Sequence, residues 1–465
     1  MSIRRTVMFS LLLPAMIHSP LLADDLASLA RAYAASHAVS TMASAHAAVP
    51  SFSRQTGLAC SSCHYQFLSL TPFGRLFKLN GYTLTAQKLI EEKTKENGPT
   101  LKLSPIPFLA GMVQTGLTHV STTIPGTQND NVQLPQQFSL FLSGAISSKV
   151  GIFSQITYSG SDGAVGIDNI DLRFANSSKM GTKDWVYGAT INNNPTVSDL
   201  WNTTPAWGWP YAGSPSAPGG TAATVIDGAL GQQVLGAGGY TMIGNTVYAE
   251  FEVYRSSLQG LAQPDATASG TIKGVAPYWR LALQKTWENS SAMIGTYGLR
   301  TRLYPGGVTG PTDDFTDVAL DAQVEQKLGH GHLVFRSTWI HEKQDLNATF
   351  AALGSANATN TLKTFKVNTS YYPSMVIGLT GGYFQTSGTT DAGLYAPAPV
   401  TGSATGNPKT SGVVGEFDFN PWQNTRLGVQ YVAYNKFNGG GNGYDGSGRN
   451  ASGNNTLYLL GWLMF

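Results

Sequence analysis

The chain contains two cysteines, and a histidine directly follows the second: Cys60, Cys63 and His64. This C-x-x-C-H spacing is typical of c-type haem attachment, because two thiols so spaced form thioethers to the two vinyl groups of one haem while the adjacent imidazole reaches the iron. A zinc site usually needs four ligands, and there is no second cysteine pair. A redox dithiol would normally lie in a βαβ pattern, which is absent. The motif predicts one covalent haem c with His64 as its proximal ligand.

The ligand on the opposite face of the iron stays open at this point. Met112 and His119 follow the motif most closely and are the candidate distal ligands, with an open position as the alternative. A methionine ligand would raise the reduction potential relative to histidine. Arg54, Arg75 and Lys78 flank the motif; they are either partners of the haem propionates or solvated charges.

The N-terminus has the pattern of an export signal. Arg4 and Arg5 precede the mostly apolar residues 7–22, which predicts a secretory leader. Cleavage would follow either Ala23 or Ala47. Export implies an oxidising compartment, but two cysteines alone cannot form a disulfide framework.

From about residue 100 onward, apolar and polar residues alternate with a period of two, in segments of about ten residues bounded by Gly, Asn, Pro or Ser. Such alternation is typical of strands with one apolar face. It fits either a soluble sandwich or an outer-membrane barrel. The clearest segments are residues 246–253, 279–284, 365–371, 413–420 and 426–433.

The C-terminus favours the membrane barrel. The last predicted strand ends in Phe465 and has Leu457, Leu459 and Leu463 on the same face, which is the usual signal for barrel assembly. Roughly 365 residues, at about 23 per strand and connection, predict an antiparallel barrel of about 16 strands. The polar faces would line its lumen with Glu250, Glu252, Arg280, Arg300, Arg302, Lys366, Glu416 and Asp418.

The chain therefore divides into three predicted regions: a leader (residues 1–47, or 1–23), a small cytochrome segment with its linker (48–99) and an outer-membrane barrel (100–465). Residues 192–220 form an unusually long connection rich in Trp, Pro and Gly. Such connections tend to be functional, so this one would fold into the lumen, pack on the haem, or cap itself outside. The 29 basic and 27 acidic residues nearly balance. The sequence therefore does not show the basic patch that would indicate a nucleic-acid partner.

Two stretches, residues 49–82 and 190–211, resemble the fused monohaem cytochrome–porins of Fe(II)-oxidising bacteria. The resemblance is carried by PSFSRQTG (50–57), CSSCH (60–64), LTPFGR (70–75), FKLNGY (77–82), NNNPT (192–196) and DLWNTTPAWG (199–208).

This resemblance implies a protein that accepts electrons from extracellular Fe(II) and passes them to a periplasmic c-type cytochrome or another carrier. As an enzyme it would be an Fe(II):cytochrome c oxidoreductase. We expect the cytochrome segment to be held in the barrel lumen. Relatives also occur where iron oxidation is not established, so the alternatives are a conduit for another donor or a haem-containing porin for small solutes.

Overall fold

The computed structural model describes residues 51–85, 90–93, 98, 100–257 and 270–465. The predicted leader and both of its candidate cleavage positions lie outside these residues. No helix in the described ranges is long and apolar enough to cross a membrane.

Strands dominate the described structure. In chain order they are β1 (His64–Gln66), β2 (Ser69–Leu70), β3 (Ile90–Lys93), β4 (Thr100–Leu103), β5 (Leu109–Val120), β6 (Asn131–Leu142), β7 (Gly144–Ala145), β8 (Val150–Ser159), β9 (Ala164–Met180), β10 (Lys183–Asn192), β11 (Val234–Ile243), β12 (Val247–Ser256), β13 (Thr271–Ile272), β14 (Ala276–Thr286), β15 (Ser290–Tyr304), β16 (Asp313–Leu328), β17 (Gly331–Asp345), β18 (Thr359–Tyr372), β19 (Ile377–Gly388), β20 (Thr410–Trp422), β21 (Thr425–Lys436) and β22 (Thr456–Met464).

Helices are few and short. The α-helices are α1 (Ser51–Thr56), α2 (Cys60–Cys63), α3 (Pro72–Leu79) and α4 (Asn347–Ala351). Single turns of other helix types occur at Pro205–Trp207, Val225–Ala229 and Ala451–Asn454.

Strands β5 to β22 form one closed antiparallel barrel. Of these eighteen described segments, β7 and β13 are only two residues long, which leaves sixteen full strands in the wall. The barrel closes where β22 pairs with β5, with Met464 opposite Met112. Closure removes every free strand edge, as a bilayer-spanning sheet requires. The predicted outer-membrane barrel of about 16 strands is thus confirmed.

Alternation along each strand separates a lipid face from a lumen face. On β12, Phe251 is 55% exposed on the outside while Glu250 and Glu252 are buried inside. On β14, Leu281 is 51% exposed while Arg280 is fully buried. This is the apolar-out, polar-in pattern of outer-membrane barrels.

The predicted lumen lining is right for six residues and wrong for two. Arg300 and Arg302 point outward, because Leu299 and Leu303 take the inward positions on β15. Those leucines pack in a buried apolar cluster that includes Ile226 from a connection inside the lumen. The six residues on the lumen side are Glu250, Glu252, Arg280, Lys366, Glu416 and Asp418.

The two ends of the barrel differ in their connections. At one end the strands are joined by short turns such as residues 181–182, 329–330 and 423–424; at the other end they are joined by long loops such as 193–233 and 437–455. Outer-membrane barrels place short turns at the periplasmic side and long loops outside the cell. The short-turn mouth is therefore the periplasmic one.

Candidate functional site

Residues 51–85, called the plug below, lie inside the barrel at the short-turn mouth. Gln55 donates from Nε2 to the Ser143 carbonyl (3.1 Å) and accepts the Ala145 amide on Oε1 (3.0 Å). Tyr82 donates to Asp171 Oδ2 across 2.7 Å. These bonds reach the barrel wall at separate places along the chain, so residues 51–85 lie in the lumen, where the cytochrome segment is expected.

Helix α3 packs against α2 and thereby positions the cysteine motif. Thr71 caps α3 by accepting the Gly74 amide (3.1 Å), and its hydroxyl donates to the Ser62 carbonyl (2.7 Å). The Thr71 amide also donates to the Cys63 carbonyl (2.9 Å). A Cβ on Gly74 would lie 2.1 Å from that carbonyl oxygen. Only glycine therefore permits α2 and α3 to pack this closely.

An apolar cavity opens beside the motif. Its empty volume is about 1080 Å³, and Cys60, Cys63 and His64 all line it. That volume includes space open to solvent. The apolar part of its lining comes from the plug, the barrel wall and the connection after β10, and includes Phe52, Phe67, Phe77, Phe141, Phe153 and Trp207.

The electrostatics of the motif distinguish between its possible chemistries. Both cysteines are free thiols. Burial raises the pKa of the Cys60 thiol, and burial together with the neighbouring Cys60 raises the pKa of Cys63 to about 12. Reactive redox dithiols instead have a lowered thiol pKa, so this pair does not resemble one.

The histidine has the state that a metal ligand needs. Burial lowers the pKa of His64 to about 4, against an opposing hydrogen bond with the Leu68 backbone, so the imidazole is neutral near pH 7. Its Nδ1 is buried without a hydrogen-bond partner. Neutral imidazole is the form that binds metals. Two adjacent thiols, a neutral imidazole and an apolar cavity together fit a covalently attached haem.

The three flanking cations have different surroundings. Arg75 forms two hydrogen bonds to Glu325 on β16, at 2.6 and 2.8 Å; it has a partner in the barrel wall and does not line the cavity. Arg54 donates to the Leu109 carbonyl (2.8 Å), also away from the cavity lining. Of the three, Lys78 lines the cavity.

Lys78 connects the plug to the connection after β10. Its Nζ donates to the carbonyls of Val197 (2.7 Å) and Asp199 (2.6 Å) and lies 4.7 Å from the centre of the Trp207 ring. Burial and nearby Arg173 lower the pKa of Lys78 to about 7, against the opposing effect of nearby carboxylates.

The two predicted distal ligands are far apart. His119 lies on the outer face of β5, 47% exposed, with Nδ1 2.7 Å from Asp130 Oδ1. Seven residues of strand, roughly 23 Å, separate it from Met112. Met112 is buried in the apolar cluster against which Cys60 packs, but it does not line the cavity. The structure thus does not bring His119 to the motif.

A different methionine, Met464 near the C-terminus, does line the cavity. Sequence reasoning missed it, although a signal existed. Both faces of β22 are apolar, with Tyr458, Leu460, Trp462 and Met464 on the inside. Strands that are apolar on both faces are buried on both, so this part of the lumen wall differs from the charged remainder.

Residues 193–233, called the inward loop below, cross the lumen above the plug. Trp201 donates to Gln284 (3.0 Å) on one wall and Trp209 donates to Glu416 (3.1 Å) on another. Asn202 accepts the Leu70 amide of the plug (3.0 Å). The long connection therefore folds into the lumen, which confirms one of the predicted alternatives. It also contributes Asn202 and Trp207 to the cavity lining, and its packing on a haem stays a prediction.

Asp199 holds the inward loop in shape. Its carboxylate accepts the backbone amides of Trp201, Thr203 and Thr204, and Arg280 on β14 lies 3.1 Å away. Burial raises the pKa of this carboxyl, but Arg280, Lys78 and the amide donors outweigh it and hold the pKa below its usual value. The loop is thus tied to the wall by a buried charge.

The sequence matches no protein-family model and no curated protein. Solved structures with a similar architecture are outer-membrane barrels. The anion-selective porin from Comamonas acidovorans has a TM-score of 0.45 at 12% identity, covering 77% of this chain and 98% of its own. OmpF of Salmonella typhi gives 0.45 at 14%, covering 81% and 100%. OmpTΔL8 of Vibrio cholerae gives 0.42 at 11%, covering 77% and 98%.

Proposed function

We propose that this outer-membrane barrel carries one covalent haem c in its lumen and conducts electrons between an extracellular donor and a periplasmic acceptor. The observation that carries the proposal is the position of the Cys60–His64 motif: it lines an apolar cavity inside a closed barrel. A soluble electron carrier would have no reason to be enclosed in a membrane barrel.

Each residue of the motif would have a distinct task. Cys60 and Cys63 would bind the vinyl groups, and His64 would bind the iron as a neutral imidazole. Thr71 and Gly74 fix the positions of these groups through the contacts of α2 with α3. Lys78, at the cavity wall, donates to two backbone carbonyls and would offer its third N–H to a propionate. The haem, when bound, supplies a one-electron centre.

The periplasmic side offers the closer exit for electrons. The Ser61 amide donates to Gln423 Oε1 (3.4 Å), in a turn at the short-turn mouth. The motif therefore lies near the opening where a periplasmic carrier would dock. A second cavity of about 620 Å³ in the lumen shares Asn202 with the cavity beside the motif, and we propose it as the place where a small reductant would bind.

Fe(II) is the donor we propose. Its oxidation is a one-electron reaction, which matches a single haem. Oxidised iron precipitates near neutral pH, so the reaction is best kept outside the cell. A barrel with an internal redox centre satisfies both conditions, because the metal need not cross the membrane.

Two measurements test the proposal in sequence. Haem should remain on the purified chain after denaturing electrophoresis, be lost in the double variant Cys60→Ser/Cys63→Ser and be kept in the control Ser61→Ala. Stopped-flow mixing of the oxidised protein with Fe(II) should then show reduction of the haem band. A chain without covalent haem would refute the cofactor; a haem reduced by dithionite but not by Fe(II) would refute iron as donor.

A porin for small solutes is the second candidate. Its support is the barrel architecture itself and the second lumenal cavity, whose lining includes Thr203, Arg336 and Lys366. In this function the plug would regulate passage. Solute flux without electron transfer would favour it.

A further inference from the structure

We propose that Met464, on the strand that closes the barrel, is the distal ligand of the haem iron. This inference rests on the proposed cofactor and adds a residue from the barrel wall to it. His64 comes from the plug and Met464 from β22, so the two ligands would come from separate parts of the fold.

Met464 is in the right place. It is 3% exposed, belongs to the cluster against which Cys60 and Phe67 pack, and lines the cavity together with His64. Both residues also line a smaller adjoining cavity. A thioether in an apolar pocket is a suitable iron ligand.

Most other potential ligands in the described cavity lining are already engaged. The Lys78 ammonium donates to two backbone carbonyls. The Tyr82 hydroxyl donates to Asp171. Asn202 accepts the Leu70 amide and donates to the Trp207 carbonyl. Among the described histidines, His64 alone lines this cavity. The Met464 thioether is the strong ligand that remains.

Met112 provides the natural comparison. It pairs directly with Met464 across β5 and β22 and lies in the same apolar cluster. Its sulfur, however, accepts a hydrogen bond from Gln114 Nε2 at 3.8 Å, and it does not line the cavity. Substituting either methionine removes a thioether from the same cluster, so the two variants differ mainly in access to the iron.

This arrangement would couple haem ligation to barrel assembly. Met464 reaches its position only when β22 pairs with β5. A plug that had received its haem before the barrel closed would lack this ligand. The plug and the two strands that close the wall would then be joined through the iron.

The test compares Met464→Leu with Met112→Leu in the full-length protein, after each is shown to keep covalent haem and a folded barrel. Wild type and Met112→Leu should show the weak far-red sulfur-to-iron band of the ferric haem. Met464→Leu should lose that band and have a lower reduction potential. Met464→His should give a bis-histidine spectrum, which also tests the position if the leucine variant folds poorly.

The outcomes separate the two proposals. Absence of covalent haem from the wild type would overturn the proposed cofactor. Covalent haem without the sulfur band in the wild type, or loss of the band in Met112→Leu but not in Met464→Leu, would overturn Met464 as ligand and leave the cofactor in place.

Discussion

At the scale of single residues, Gly74 has the clearest consequence. Gly74→Ala would place a methyl group 2.1 Å from the Cys63 carbonyl oxygen, a backbone atom that also accepts the Thr71 amide. Overpacking of this kind costs about 1–3 kcal/mol, and here it would push α2 away from α3. We expect several-fold less covalent haem per chain, measured by haem stain against protein, in a barrel that still folds.

Gly213→Ala is the matched control, because a Cβ there meets nothing within 4 Å. Its haem content should equal that of the wild type. Equal haem content in Gly74→Ala would mean that the contact between the two helices does not position the cysteines.

The cysteine motif could be predicted from sequence because it is a local pattern: Cys60, Cys63 and His64 lie within five consecutive residues. The tasks of Arg75 and Met464 depend on partners hundreds of residues away. No local pattern specifies such contacts, so the sequence leaves Arg75 open between a propionate partner and a solvated charge, and it does not single out Met464.

At the scale of elements, α3 is fixed to the barrel wall by a buried ion pair. Arg75 binds both oxygens of Glu325 on β16, and Ser291 donates to the same carboxylate (2.5 Å). Removing one partner of a buried pair costs about 3–5 kcal/mol, because an uncompensated charge remains. Arg75→Met should therefore loosen the plug, measured as faster proteolysis within residues 51–85 in detergent.

The double variant Arg75→Met/Glu325→Met supplies the internal comparison. It removes the stranded carboxylate and replaces the pair with apolar groups, a change that is often nearly neutral. Its proteolysis rate should lie closer to that of the wild type. If the single and double variants are cleaved equally fast, the pair does not hold the plug.

The strands themselves were predictable, because their alternation is strictly local. The face of the strand on which a polar residue lies was harder to predict. Arg300 and Arg302 fit the polar parity of a lumen face. The inward loop, however, presents Val225 and Ile226 to β15, and the two leucines that flank the arginine pair, Leu299 and Leu303, turn inward to meet them. An apolar partner inside the lumen thus reverses the usual arrangement, in which polar side chains face the lumen and apolar side chains face the lipid.

At the scale of the whole molecule, two segments enter the lumen from opposite directions. The plug occupies the periplasmic end, the inward loop crosses above it, and Lys78 and Leu70 bond the two together. From the sequence, the position of the loop in the lumen was one of several alternatives. Contacts between segments far apart in the chain determine which alternative forms, and a local pattern does not reveal them. The result is a barrel whose interior is largely filled.

A filled lumen makes a prediction about conductance. Large lumenal side chains, including Trp201, Arg173 and Arg280, are fully or almost fully buried. A diffusion porin with a similar number of strands instead leaves an aqueous channel through its lumen. The purified protein in a planar bilayer should therefore conduct far less than an open 16-stranded porin measured in parallel. Arg75→Met, which loosens the plug, should raise the conductance, and the Arg75→Met/Glu325→Met variant should raise it less. Wild-type conductance equal to that of the open porin would mean that solutes pass the plug freely, and it would shift the function from electron conduit to diffusion pore.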